Sequence, residues 1–272
     1  MLWNIIAGLG GAYLVLIAAL YLFQRSLMYQ PGHVLPDLRQ TAIPEAIPVI
    51  LKSNEGVSLT SWFIAPDEGR PVVLYFQGNA GTIADRDFKA NAFAQAGLGV
   101  WLTGYRGFGG NAGSPTEEGL YADALAAVEE LGNRGVAPSD IVIYGESLGT
   151  GVAVQTAMRM ADSGTPVRGV VLEAPFTSMG DAAQGHYPYV PAKWLVRDKF
   201  DSLSKITKIN APLLVLHGDN DRVVPEPHGR ALFAAAQEPK QAVWVPDGGH
   251  SNLYDFGVGP KIVAFIESLE SR

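Results

Sequence analysis

Six short apolar runs punctuate this chain, and segments of helix length separate them. The runs are Val72–Phe76, Gly99–Thr103, Ile141–Tyr144, Val170–Leu172, Leu213–Leu216 and Val243–Val245. Their near-continuous hydrophobicity, without polar alternation, suits strands covered on both faces. The intervening patterns at Asp85–Ala96, Thr116–Leu131, Leu148–Met160, Glu226–Ala236 and Pro260–Ser268 suit the helices that supply this cover. Strands and helices alternating in this way predict an α/β fold, a mostly parallel central sheet with helices on both faces. Ahead of them, Val49–Lys52 and Leu59–Ile64 flank Asn54-Glu55-Gly56 and read as a hairpin, an antiparallel edge for the sheet. Thr116-Glu117-Glu118-Gly119 has the form of a capped helix start, with acids where the helix dipole favours them.

The N-terminus is of another kind. From Leu2 to Phe23 there is no charged residue. As a helix this stretch would run about 33 Å, enough to cross the hydrocarbon core of a bilayer. Trp3, Tyr13 and Tyr21 place aromatics near both ends, and Arg25 follows. A cleaved signal peptide would show basic residues first and small residues at its end. Here nothing basic precedes the run, and Tyr21-Leu22-Phe23-Gln24 is bulky. We therefore expect a single transmembrane anchor over residues 1–24, in contact with membrane lipids. A linker over 25–45, broken by Pro31, Pro36 and Pro44, and one globular domain over 46–272 should follow. Arg25 and Arg39 lie on the C-terminal side of the anchor, which favours a cytoplasmic domain. Gly8, Gly11 and Ala12 are small enough to let two anchors approach, so a homodimer through this helix is a further expectation.

Composition narrows the function classes. The net charge is −7 with 17% charged residues, which leaves no electrostatic footprint for nucleic acid. There is no cysteine, so disulfides, thiolate nucleophiles and cysteine-ligated metals are excluded.

The chemistry gathers at the ends of three predicted strands, where open α/β sheets place their sites. After Ile141–Tyr144 comes Gly145-Glu146-Ser147-Leu148-Gly149, of the form G-x-S-x-G. A sharp strand-to-helix turn there raises a serine at its apex. A serine hydroxyl is a poor nucleophile unless a base and an orienting acid lie beside it. After Leu213–Leu216 comes His217-Gly218-Asp219-Asn220-Asp221, with two carboxylates two residues apart. After Val243–Val245 comes Pro246-Asp247-Gly248-Gly249-His250. Ser147 and His250 are thus the candidate nucleophile and base. Asp219, Asp221 and, after the preceding strand, Glu173 are candidate acids. His217 reads as a structural neighbour, His186 falls in an insert, and His33 and His228 have no comparable setting.

Two patterns imitate other sites. Gly107-Phe108-Gly109-Gly110-Asn111-Ala112 approximates a dinucleotide fingerprint, but Gly113-Ser114-Pro115 intervenes before any helix that could hold a pyrophosphate. His217-x-Asp219-x-Asp221 has no further ligand cluster to make a metal site. Neither an organic cofactor nor a metal is expected.

Taken in order, several motifs carry a resemblance. They are Gln77-Gly78-Asn79-Ala80-Gly81, Tyr105-Arg106-Gly107, Gly145-Glu146-Ser147-Leu148-Gly149, Leu172-Glu173-Ala174-Pro175-Phe176, His217-Gly218-Asp219-Asn220-Asp221 with Val224-Pro225, and Gly249-His250. Over roughly residues 45–270 the chain resembles the α/β-hydrolase superfamily. More narrowly it is similar to the membrane-associated Bem-type and α/β-hydrolase-domain branch. The resemblance implies the chain order nucleophile, acid, histidine. Matched to H-G-x-x-D followed by V-P, it gives the acid role to Asp221, which leaves Asp219 to turn chemistry, bonded to its own backbone. The oxyanion donors would be the backbone N–H groups of Leu148 and, by resemblance, Asn79. The family usually has His at Gln77 and Asp at Gly104, so local substrate contacts there are expected to differ.

Between Phe176 and Leu213 lies an insert carrying Tyr187, Tyr189, Trp194, Leu195, Val196 and Phe200. It reads as a cap over about residues 177–208. Most of its aromatics should pack it onto the core, leaving one or two to line an acyl pocket. The expected activity is that of a membrane-anchored serine hydrolase of the esterase, lipase or thioesterase class. Its substrates would be acyl esters or thioesters, lipids among them. A peptidase or amidase of the same fold and a noncatalytic membrane scaffold are the rival expectations.

Overall fold

The structure, a computed structural model, describes residues 1–53 and 55–269. Helix α1 (Leu2–Met28) opens the chain and buries none of its residues. It is long and apolar enough to span a membrane. It runs four residues into the stretch expected to be linker, because Leu27 and Met28 continue its apolar face.

Among the described residues the main sheet has eight strands: β1 (Ile47–Lys52), β2 (Ser58–Ile64), β3 (Val72–Phe76), β4 (Gly99–Leu102), β5 (Ile141–Glu146), β6 (Gly169–Glu173), β7 (Leu213–Gly218) and β8 (Lys240–Val245). Across the sheet they stand in the order β1-β2-β4-β3-β5-β6-β7-β8. β1 and β2 form the expected hairpin, with Ile47 opposite Phe63 and Lys52 opposite Ser58. Asn54, in its turn, lies outside the described residues. β2 meets β4 antiparallel, and every later neighbour pair is parallel. β3, β4, β6 and β7 are buried throughout, which is why their sequences lack polar alternation.

Successive residues of one strand feed opposite cores. Leu74 and Phe76 join Ile143 and Leu172 in a cluster under α3 (Glu117–Asn133) and α4 (Leu148–Asp162). Val73 and Tyr75 join Val142 and Tyr144 in a second cluster, under α2 (Asp87–Gln95) and α8 (Val258–Ser268). The predicted cap on α3 is present, with the Gly119 N–H donating to Thr116 Oγ1 at 3.0 Å.

Between β6 and β7 the chain leaves the sheet to form α5 (Met179–His186) and α6 (Ala192–Leu195), which pack on each other. α7 (Pro227–Ala235) then precedes β8. The aromatic residues of this insert divide differently from the expectation. Phe200 alone is buried, edge-on to Tyr121, whereas Tyr189 and Trp194 are 88% and 84% exposed.

Candidate active site

Ser147 stands where β5 ends and α4 begins, with φ 50° and ψ −117°. A side chain is strained in that region, and such strain persists only where the surroundings over-determine it. Here the determinants are close backbone packing and hydrogen bonds. A Cβ on Gly149 would lie 2.1 Å from the Phe76 carbonyl oxygen, so only glycine lets α4 start this close to β3. The Ser147 N–H donates to the Glu173 carbonyl at 2.9 Å, and Thr150 Oγ1 donates to the Ser147 carbonyl at 2.6 Å.

The loops after β7 and β8 meet backbone to backbone. Gly218 makes this possible, since a Cβ there would lie 2.1 Å from the Gly248 oxygen. Asn220 N–H donates to the Gly248 carbonyl at 2.9 Å, and Asp247 N–H donates to Asp219 Oδ1 at 2.7 Å. Asp219 therefore ties down the loop that carries His250. This corrects the expectation of an Asx bond to its own backbone: the partner is a neighbouring loop held close by strand pairing.

The three predicted side chains come together in one hydrogen-bonded row. His250 Nε2 lies 2.8 Å from Ser147 Oγ, and His250 Nδ1 lies 2.7 Å from Asp221 Oδ2. The other oxygen, Asp221 Oδ1, accepts from the N–H groups of Val223 and Val224 at 2.8 Å each. Burial pushes the Asp221 carboxyl up. Hydrogen bonds from His217 and His250, the His250 charge and the Val224 amide outweigh burial and hold it well below the usual carboxylate range. His217, wholly buried, bridges Asp221 and the Val224 carbonyl, which keeps this turn rigid. Glu173 does not enter the row.

Glu173 belongs instead to a charge cluster beneath the serine, which sequence reasoning missed. Lys89 Nζ is 2.8 Å from Glu173 and 2.9 Å from Glu146, and Arg86 is 2.7 Å from Glu146. Tyr75 and Tyr144 hydroxyls donate to Glu146 and Glu173. Burial raises the Glu146 carboxyl, but Lys89 and Arg86 overcome this and hold it well below its ordinary value. The available signal was a glutamate inside the motif and another closing an otherwise apolar strand, both needing a cation.

Asn79 stands at the wall of the site, and its carbonyl accepts from Gln30 N–H at 2.9 Å. Its side-chain amide is engaged elsewhere, donating to the Met28 carbonyl at 2.8 Å. Gln77 and Gly104 sit together on a separate small cavity of about 10 Å³. Gln77 is 1% exposed, and neither polar atom of its side-chain amide has a partner among the described residues. The departures at these two positions therefore fall in a buried corner of the fold, outside the lining of the cavity over Ser147. The glycine-rich stretch at 107–112 is loop, with α3 beginning only at Glu117.

A cavity of about 240 Å³ opens over Ser147 and Leu148. Phe176 and the cap residues Met179, Ala182, Tyr187, Leu195 and Val196 line it, and His186 is its one cap histidine. No carboxylate lines it among the described residues. Such a site can hold an apolar chain and bring one polar, reacting group to the serine.

Comparison with known proteins finds relatives of this fold. A model of the prolyl oligopeptidase family matches residues 88–261. An uncharacterised protein of Mycobacterium tuberculosis is 39% identical over 84% of this chain and 81% of its own length. The lysophosphatidylserine lipase ABHD12 of Danio rerio is 32% identical over 70% of this chain and 58% of its own. Among solved structures, an alpha-beta hydrolase from Vibrio vulnificus superposes with a TM-score of 0.75 at 24% identity, covering 89% of this chain and 92% of that one.

Proposed function

The chain belongs to the α/β-hydrolase superfamily, and from that premise we propose that it is a membrane-anchored serine hydrolase of acyl esters or thioesters. The observation that carries this reading is the row Ser147–His250–Asp221, whose serine lines an apolar cavity. Ser147 Oγ attacks the acyl carbon while His250 Nε2 takes its proton. The oxyanion that forms is met by the N–H groups of Leu148 and Asn79, donors worth about 3 kcal/mol each. Asp221 holds the imidazole in the tautomer that presents Nε2 and stabilises the imidazolium. His250 returns the proton to the departing alcohol or thiol, and water then releases the acyl group by the same steps in reverse.

The prolyl oligopeptidase match keeps one rival in view, a peptidase. Against one that reads a free α-amino group stands the cavity lining, which has no carboxylate among the described residues. α1 acts as the anchor in this reading and holds the site beside acyl chains. A fluorophosphonate should label Ser147 in the parent protein and nothing in Ser147→Ala. p-Nitrophenyl esters should turn over faster than aminoacyl anilides; faster anilide cleavage would favour the peptidase. Carbonate washing should leave the full chain with membranes, and its release would remove the anchor from the account.

A further inference from the structure

The cavity over Ser147 is not closed by the hydrolase domain alone. Leu20, Tyr21, Gln24, Leu27 and Met28 of α1 complete its wall. Their spacing places them on one face of the helix. The neighbouring face is bare, with Leu22 72% and Phe23 62% exposed.

Several contacts hold α1 in this position. The Arg25 guanidinium donates to both Asp198 oxygens, at 2.7 and 2.9 Å. Gln24 accepts from Arg197 N–H at 2.7 Å and donates to the Leu195 carbonyl at 3.3 Å. Further up, Tyr13 Oη donates to the Tyr189 carbonyl at 2.7 Å. From residue 13 to residue 25 the helix rises about 18 Å, so the cap lies along it well beyond the domain surface. Tyr189 and Trp194 are exposed on that cap, and an α1 that spans the bilayer carries them into the leaflet, where their ring bodies face lipid.

Resting on the hydrolase reading above, we propose that the C-terminal turns of α1 are a wall of the acyl-binding site. Acyl chains of bilayer-resident esters enter sideways from the leaflet, between α1 and the cap. A single apolar helix thus serves as anchor and as specificity element.

The test uses the full chain in phosphatidylcholine vesicles. Leu20→Trp and Leu27→Trp fill the wall, and Leu22→Trp adds the same bulk on the bare face. The ratio of kcat/KM for p-nitrophenyl palmitate to that for the butyrate should fall at least about tenfold in the two wall variants, because the added bulk overpacks the space the long chain needs. It should hold in Leu22→Trp. An unchanged ratio in both wall variants, with Ser147 still labelled by a short fluorophosphonate, would overturn the proposal.

A second measurement needs no substitution. A hexadecyl fluorophosphonate with a terminal diazirine, bound at Ser147 and illuminated, should crosslink to residues 20–28 or to the cap helices facing them. Crosslinks confined to the core strands would also overturn it. Absence of any Ser147 adduct would instead fell the hydrolase reading, and this proposal with it.

Discussion

At the scale of single residues, the two aspartates after β7 divide their work by reach. Asp221 is buried against His250 and two backbone amides, whereas Asp219 is exposed and holds the Asp247 N–H. Asp221→Asn should reduce kcat by several orders of magnitude, because an amide favours the wrong imidazole tautomer. Asp219→Asn keeps an acceptor oxygen, so steady-state kinetics should find most activity intact; the opposite ranking would reassign the acid. The depressed Asp221 pKa also has a stability consequence. The folded value lies below the unfolded one, so its stabilisation is full above about pH 4 and is lost as pH falls through the folded value. In urea melts, the advantage of the parent over Asp221→Asn should therefore shrink as the pH falls below about 4.

At the scale of elements, the elbow between β5 and α4 rests on charge buried beneath it. Lys89 comes from α2 and is the shared partner of carboxylates closing β5 and β6. Burial lowers its pKa, but Glu173 and Glu146 outweigh that and keep it cationic. Lys89→Met would strand the Glu173 carboxylate in the interior and leave Glu146 to Arg86 alone, a loss on the scale of about 3–5 kcal/mol. Chemical denaturation should register it, and a loss below about 1 kcal/mol would show that the cluster is dispensable to stability. Ser147 and His250 announced themselves in the sequence by their strand ends. Lys89 did not, since nothing in a local pattern tells which cation a buried glutamate will meet. Asp219 was legible as a turn residue, but its bond to the β8 loop depends on a strand pairing between distant segments.

At the scale of the whole molecule, α1 is tied to both halves of the site. Met28 accepts from Asn79, and Gln30 and Pro31 pair in parallel with Ala80 and Gly81 of the loop expected to hold the oxyanion. Arg25 and Asp198 pin the same helix to the cap, and the Asp198 side chain is 5% exposed. Arg25→Ala leaves that carboxylate without its cation. Hydrogen exchange should then rise across residues 24–32, with slower turnover of long-chain esters; unchanged protection there would mean that the pair is incidental to docking. Local chemistry determined a great deal here: the runs that become strands, the apolar helix, and the order in which nucleophile, acid and histidine arrive. These follow from side-chain periodicity and turn geometry, which act over a few residues. Tertiary structure alone decided that the helix joins the wall of the cavity, that Lys89 underlies the serine and that Asp221 meets His250. Those are contacts between residues far apart in sequence, and only the packing of the sheet brings them within reach.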